Sequence, residues 1–310
     1  MSLEPRESFA MAAQLVTLGD WLKYAVRLYE QEKLALGQIA TSAHDEALYL
    51  LLHTVGLPLD SDARVLEKKI TTAQRTKIEA MLRRRVIERI PAAYLTREAW
   101  LGEKRFYVDE RVIIPRSYFL EIIPQQLDSW LPAPEKVANV ADVCTGSGCL
   151  AILLGEHFPT AQVDAIDLSP DALEVAKINL RQHRLTRRVT LHQSDVFDAV
   201  PEQTYEVILS NPPYEPSAHI DTLPGEFHRE PRMSLDGGPD GLVIIRKLLR
   251  QSRRRLAPEG IMLIEVGGLR AAMDQEFASL EPHWLHTADG SDCICVINAQ
   301  RLQQWRDRGH

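Results

Sequence analysis

The chain has 310 residues, 45% hydrophobic and 25% charged, with 43 acidic side chains against 36 basic ones and a net charge of −7. That is the composition of a folded protein with a sizeable core, in one large or two smaller domains. It excludes a membrane span, because no apolar run approaches the roughly 20 residues needed, and a disulfide framework, because Cys144, Cys149, Cys293 and Cys295 lack its spacing. The start, Met1-Ser2-Leu3-Glu4-Pro5-Arg6-Glu7, lacks a basic-then-apolar export signal, so a cytoplasmic location is expected.

Residues 1–90 read as a small helical bundle. Leu18, Trp21, Leu22, Ala25 and Leu28 recur at helical spacing. Ser42, with Asp45 three residues on, starts a second helix lined by Leu48, Leu51, Leu52 and Val55, which Gly56 and Pro58 stop. A third is predicted from Thr72 through Ile78, Met81, Leu82 and Val86 to Ile90, where Pro91 breaks it. The basic runs Arg83-Arg84-Arg85 and Arg253-Arg254-Arg255 are expected at helix ends, complementing the dipole and facing solvent, with a nucleic-acid patch as the alternative. From Tyr94 to Ile114 the pattern alternates around Gly102-Glu103-Lys104, which predicts a hairpin.

Val140-Ala141-Asp142-Val143-Cys144-Thr145-Gly146-Ser147-Gly148-Cys149 then reads as a buried strand, a glycine-containing turn and a helix start whose N–H groups face a ligand. The third glycine of a dinucleotide fingerprint is missing, which counts against NAD. A second strand, Gln162 to Ile166, ends in Asp167, a carboxylate suited to two ribose hydroxyls. Ser169-Pro170-Asp171 caps the next helix. The strand Val189 to His192 leads to Asp195-Val196-Phe197, an acid beside apolar groups that suits an adenine amino group and ring. A fourth strand, Tyr205 to Ser210, delivers Asn211-Pro212-Pro213-Tyr214. Two prolines fix the backbone and donate no N–H, so the tetrapeptide makes a rigid slot for a planar amino group. After Tyr214 the segment to about Asp240 has no sustained period and reads as a loop or lid. A helix from Leu242 to Leu256, a strand from Ile261 to Glu265, a helix near Ala271 to Leu280 and strands around Trp284 to Thr287 and Cys293 to Ile297 would complete a seven-stranded sheet. One of the last two strands should run antiparallel to its neighbours. His219, His228 and His283 lack metal-ligand spacing, Cys293-Ile294-Cys295 reads as buried thiols, and no metal is expected.

This order of elements resembles the class I S-adenosylmethionine-dependent methyltransferases, an α/β fold with a Rossmann-like seven-stranded sheet. The Asn-Pro-Pro-Tyr sequence is similar to those that methylate an amide or exocyclic amine. Pro91-Ala92-Ala93-Tyr94-Leu95-Thr96, Phe106-Tyr107-Val108-Asp109 and Val112-Ile113-Ile114-Pro115-Arg116-Ser117 look like the linker of the HemK-like protein glutamine N5-methyltransferases. Arg116-Ser117, Cys144 and Leu223-Pro224-Gly225-Glu226-Phe227-His228-Arg229-Glu230-Pro231 are more similar to the branch that acts on ribosomal protein L3 than to the release-factor branch, which carries Gly at the position of Cys144. Glu265-Val266-Gly267-Gly268 departs from the family, which more often has a polar residue after the first Gly.

The resemblance implies three parts: residues 1–90 as a substrate-docking domain, 91–115 as a hairpin linker and 116–310 as the methyltransferase domain. It implies S-adenosylmethionine as cofactor and S-adenosylhomocysteine as product. Asp142, Cys144, Thr145, Gly146, Ser147, Gly148, Asp167, Leu168, Asp195, Val196 and Asn211 would bind the cofactor. Asn211, Pro212, Pro213 and Tyr214 would hold the acceptor, with Asn211, Pro212 and Tyr214 catalytic. The expected acceptor is a glutamine of ribosomal protein L3; a release factor, or adenine N6 or guanine N2 of a nucleic acid, are the alternatives. Residues 1–90 carry 13 basic against 12 acidic side chains and residues 91–310 carry 23 against 31, so the catalytic part is acidic, and direct nucleic-acid recognition is not expected.

Overall fold

The structure, a computed structural model, describes residues 14–37 and 39–305. The opening heptapeptide considered above for export lies outside them. Contacts divide the chain into two units. One runs up to Ala99 and includes Leu223–Arg229; the other takes Trp100–Thr222 and continues from Glu230.

The first unit is built on three helices: α1, Leu18–Gln31; α2, Ala43–Val55; and α3, Thr72–Val86. A reciprocal capping box starts α1, with Asp20 N donating to Thr17 Oγ1 at 3.2 Å and Thr17 N to Asp20 Oδ2 at 2.8 Å. The Leu18, Trp21, Leu22, Ala25 and Leu28 stripe is buried as its spacing predicts. Ser42 caps α2 and Gly56, at φ 70°, ends it in the left-handed conformation. The buried face of α2 is rotated from the expected one: Ala47, Leu50, Leu51 and Leu52 are buried, whereas Leu48 and Val55 are only partly so. Helix α3 stops at Val86 rather than Ile90, and Pro91 opens a short helix, α4, Ala92–Thr96.

Arg85 overturns the reading of its basic run as a solvent-facing helix end. The side chain is fully buried, donating to Glu46 Oε1 at 2.6 Å, Glu226 Oε1 at 3.1 Å and the Ala35 carbonyl at 2.9 Å. Glu226 Oε1 also accepts from Ala35 N at 3.2 Å. The segment Leu223–Arg229 is thus fastened to the helices through one buried carboxylate. A long cation on a helix reaches back along its own surface, so the sequence run alone does not reveal which of three arginines turns inward.

The chain leaves this unit through a two-stranded sheet, β1, Glu98–Leu101, and β2, Lys104–Tyr107, turning at Gly102, φ 61°. Helix α5, Phe119–Gln125, follows. The remaining strands are β3, Asn139–Val143; β4, Gln162–Asp167; β5, Val189–Gln193; β6, Tyr205–Ser210; β7, Leu256–Glu265; β8, His283–Leu285; and β9, Ile294–Asn298. Among the described residues they form one sheet in the order β5-β4-β3-β6-β7-β9-β8. Neighbours from β5 to β7 run parallel, and β9 is antiparallel to both β7 and β8, the reversed strand expected of the final pair.

Alternation along β3 sends Val140 to one face of the sheet and Ala141 and Val143 to the other. The first face is covered by α5, α6, Cys149–His157, and α7, Pro170–Gln182. The second is covered by α9, Val243–Ser252, α10, Arg270–Glu276, and α11, Ala299–Gln304; a short α8, Ser217–Ile220, lies earlier in the chain. Two apolar layers around a buried parallel sheet are the doubly wound arrangement. Chain order reverses between β3 and β6, which creates a crevice beyond their carboxyl ends.

Candidate active site

Three adjacent strands deliver the candidate residues to that crevice. Val143 lies beside Ile166 on one side and Ser210 on the other, so the turn after β3, Asp167 and Asn211 emerge side by side. The turn from Cys144 to Gly148 alternates into the left-handed region, with φ of 64° at Cys144, 53° at Gly146 and 79° at Gly148. Glycine accepts this readily, whereas a side chain such as Cys144 pays about 1 kcal/mol or more. A Cβ on Gly148 would stand 3.1 Å from Ala176 Cβ, so that glycine lets α6 and α7 approach.

Asp142 lies beneath the turn rather than in the crevice. Its Oδ2 accepts from Thr145 Oγ1 at 2.5 Å and Ala151 N at 2.8 Å, which fixes the turn to α6, while the buried Oδ1 has no partner. Burial pushes its carboxyl up to about 7. Ser147 is buried and its carbonyl accepts from Asn179 Nδ2 at 2.8 Å, so it too supports the turn from below. Asp167 Oδ2 accepts Gly146 N and Oδ1 accepts Ser169 N, both at 2.8 Å. Both oxygens are therefore held rigidly, each with a lone pair to spare. Leu168, next to it, is 52% exposed. Asp195 is half exposed and paired with Lys247 at 2.7 Å, and Val196 holds φ 54°, a strained value for a β-branched residue.

At the other end of the crevice, Asn211 Nδ2 points to the Arg116 carbonyl at 3.5 Å, leaving Oδ1 without a donor among the described residues. Arg116 is itself set by Glu230, whose two oxygens lie 2.9 Å from its Nη1, and Glu230 Oε2 also accepts Ile114 N at 3.1 Å. Pro212 is buried, and Pro213 and Tyr214 are half-buried. Burial and the nearby Glu265 carboxylate raise the Tyr214 phenol far above its ordinary range, so it stays neutral. The loop after it is tied to itself: Asp236 Oδ1 accepts Ser217 Oγ at 2.5 Å and Gly238 N at 3.0 Å, and Glu215 N donates to the Leu235 carbonyl at 2.8 Å. His219 pairs with Glu215, His228 with the Leu223 carbonyl, and His283 packs on Trp130.

A family model described as the methyltransferase small domain matches residues 124–235. Sheet order and this match together give the class I methyltransferase fold. A ribosomal protein uL3 glutamine methyltransferase of Neisseria gonorrhoeae is 43% identical over 295 residues, covering 95% of this chain and 98% of that one. One from Burkholderia pseudomallei is also 43% identical, covering 92% and 95%. The chain belongs to the ribosomal protein uL3 glutamine methyltransferase family. Among solved structures, a methyltransferase from Pyrococcus furiosus aligns with TM-score 0.45 at 17% identity, covering 63% of this chain and 88% of that one.

Sequence reasoning about this glutamine methyltransferase missed Glu265 and the pairing of Arg116 with Glu230. Glu265 closes β7, is buried, and accepts Ser117 Oγ at 2.5 Å. Burial lifts its carboxyl to about 7. The available signal was an acid closing the apolar run Ile261–Ile264 at the end of its strand, as Asp167 ends β4.

The first glycine of Gly267-Gly268 has a structural reason, whereas Gly268, the position that departs from the family pattern, has open space around it. Gly267 has φ 50°, and a Cβ there would sit 2.5 Å from Tyr214 Cε2. Gly267→Ala should displace the Tyr214 ring and lower turnover about tenfold or more, with much less effect on stability. Unchanged turnover in that variant would refute the role of the ring contact.

Asp142 and Glu265 also set a pH dependence. Each folded pKa lies above its ordinary value of 3.8 or 4.5, so the folded state holds the extra proton in between. Stability from these groups is therefore lost as pH rises from about 4 to about 7, and the raised pKa of Asp167 acts in the same direction. Thermal unfolding of Glu265→Gln should show a shallower decline across that window than the parent protein. Parallel curves would refute the assignment.

Proposed function

We propose that the protein transfers the methyl group of S-adenosylmethionine to the side-chain nitrogen of a glutamine in ribosomal protein uL3. The observation that carries the reading is the Asn211 amide, whose nitrogen is turned to the Arg116 carbonyl so that Oδ1 remains as an acceptor beside Pro212. The names of relatives matching nearly the full chain support the choice of acceptor.

The crevice suits the donor. Asp167 offers two rigid acceptors to a ribose diol, exposed Leu168 offers an apolar face to a base, and Gly146 carries no side chain over the turn. Once ionised, above about pH 7, Asp142 adds negative potential beneath the turn, favourable to a cationic ligand. When bound, the donor supplies an electrophilic sulfonium methyl. Asp195 and Val196 would contact its adenine, with Asp195 held by Lys247. Asp167→Ala should weaken donor binding about tenfold or more by calorimetry while turnover at saturation falls less; unchanged affinity would refute the ribose assignment.

An amide nitrogen is a poor nucleophile because its lone pair is delocalised. Asn211 Oδ1 and the Pro212 carbonyl can accept both amide protons, aim the nitrogen and stabilise positive charge as it develops. The Tyr214 ring adds about 1 kcal/mol of cation–π stabilisation. No strong base is needed before transfer: as the C–N bond forms, the methyl carbon–sulfur bond breaks and neutral S-adenosylhomocysteine leaves, and the amide proton, acidic only at that stage, passes to water. The helical unit is assigned to docking the protein substrate, and the chain to the cytoplasm. Among the described residues no helix is long and apolar enough to cross a membrane.

Labelled donor should modify purified uL3, and mass spectrometry should locate the methyl on a glutamine nitrogen. Label on a release factor or on nucleic acid, with none on uL3, would overturn the reading.

A further inference from the structure

The molecule carries a second concave surface, a cavity of about 860 Å³ far from Asn211, whose lining includes Arg253, Arg254 and Arg255 together with Gln303 and Glu202. It opens where β6 and β7 begin: Thr204 precedes the first strand and Arg255 the second. Asn211 follows the last residue of β6, so roughly 20 Å of strand separates the two ends.

The basic run is organised. Arg255 donates to the carbonyls of Pro201 at 2.5 Å and Val200 at 2.9 Å, and its guanidinium stands 5.4 Å from the centre of the Phe197 ring. Arg253 donates to the Gln303 carbonyl at 3.1 Å, and Arg254 is exposed. These acceptors are neutral. Among the described residues none of the three forms an ion pair with a carboxylate, and the cavity lining holds these three arginines against one acid, Glu202. The geometry corrects the expectation that this run simply faces solvent, because two of its members are fixed by carbonyls against the cavity wall.

We propose that this cavity binds the phosphate backbone of RNA and serves as a handle that presents an RNA-bound substrate to the crevice. Guanidinium groups suit phosphate oxygens, and the cavity is larger than a single small anion requires. Its distance from Asn211 makes the RNA a positioning ligand and not the methyl acceptor. The inference rests on uL3 as acceptor, since a ribosomal protein is encountered with its RNA as well as without it.

The test compares the parent protein with Arg253→Glu/Arg254→Glu, leaving Arg255 because it braces three carbonyls. Fluorescence anisotropy with a labelled RNA hairpin should show binding that weakens with salt, and the double variant should bind about tenfold or more weakly with a shallower salt slope. An unchanged thermal midpoint would show that the variant is folded. Inorganic phosphate at matched ionic strength should not displace the hairpin. Absence of RNA binding by the parent protein, equal binding by the variant, or displacement by inorganic phosphate would each overturn the proposal. Methyl transfer to RNA-free uL3, measured in parallel, should be the same for both proteins. If neither transfers to uL3 yet the binding difference persists, the acceptor assignment falls and the RNA site stands.

Discussion

Asn211→Ala is expected to lower turnover by about a hundredfold to a thousandfold while changing donor affinity by about twofold at most. The magnitude is that of removing one preorganised polar group from a charge-stabilising site, a loss of about 3–4 kcal/mol in the barrier. The split follows from position. Asn211 leaves the end of β6 toward the Arg116 carbonyl, whereas Asp167, assigned to the ribose, is the last residue of β4. Asn211→Asp is a useful second variant: it keeps an oxygen but cannot donate to the Arg116 carbonyl, so its orientation is lost and it should not rescue turnover. Single-turnover kinetics with labelled donor and uL3, alongside calorimetry of the donor alone, separate the two effects. Near-normal turnover in the alanine variant would end the positioning mechanism.

Arg85→Ala is expected to destabilise the folded protein by about 3–5 kcal/mol, read as a lowered denaturant midpoint. The cost arises because Glu46 and Glu226 are left as buried carboxylates without their shared cation. Breaking a buried pair from one side is more harmful than replacing all its members by apolar groups. The triple change Arg85→Leu/Glu46→Leu/Glu226→Leu should therefore recover much of the loss. A single variant as stable as the parent would show that the buried network contributes little. Arg84→Ala, in the same run but on the exposed face, is the control and should change stability by about 0.5 kcal/mol or less.

These two residues also show what the sequence does and does not reveal. Asn211-Pro212-Pro213-Tyr214, the glycine turn after Asp142 and the acid ending β4 were legible because each is a local pattern, a strand followed by residues with special backbone chemistry. That one of the last two strands is reversed followed from the short connection between them, whereas the order of the strands in the sheet, a tertiary property, did not. By contrast, Arg85 with Glu226, Arg116 with Glu230 and Ser117 with Glu265 lie more than a hundred residues apart in sequence. No periodicity encodes such a partnership, so a buried arginine read as a surface one and a buried acid read as a strand terminus. The helix expected to run to Leu256 ended at Ser252 because Leu256 already pairs with Tyr205, a tertiary contact that overrides local helical pattern.

The fastening of Leu223–Arg229 to the helices has a consequence for synthesis. The amino-terminal unit emerges first from the ribosome, yet the carboxylate that completes its buried network is made more than a hundred residues later. At ordinary elongation rates that interval is of order ten seconds, during which Arg85 and Glu46 must wait for their third member. The helices alone are an unfinished object, and a fragment ending near Ala99 should melt well below the full chain. Completion of the first unit therefore requires that translation has already passed Asn211, so the two functions of the chain mature together.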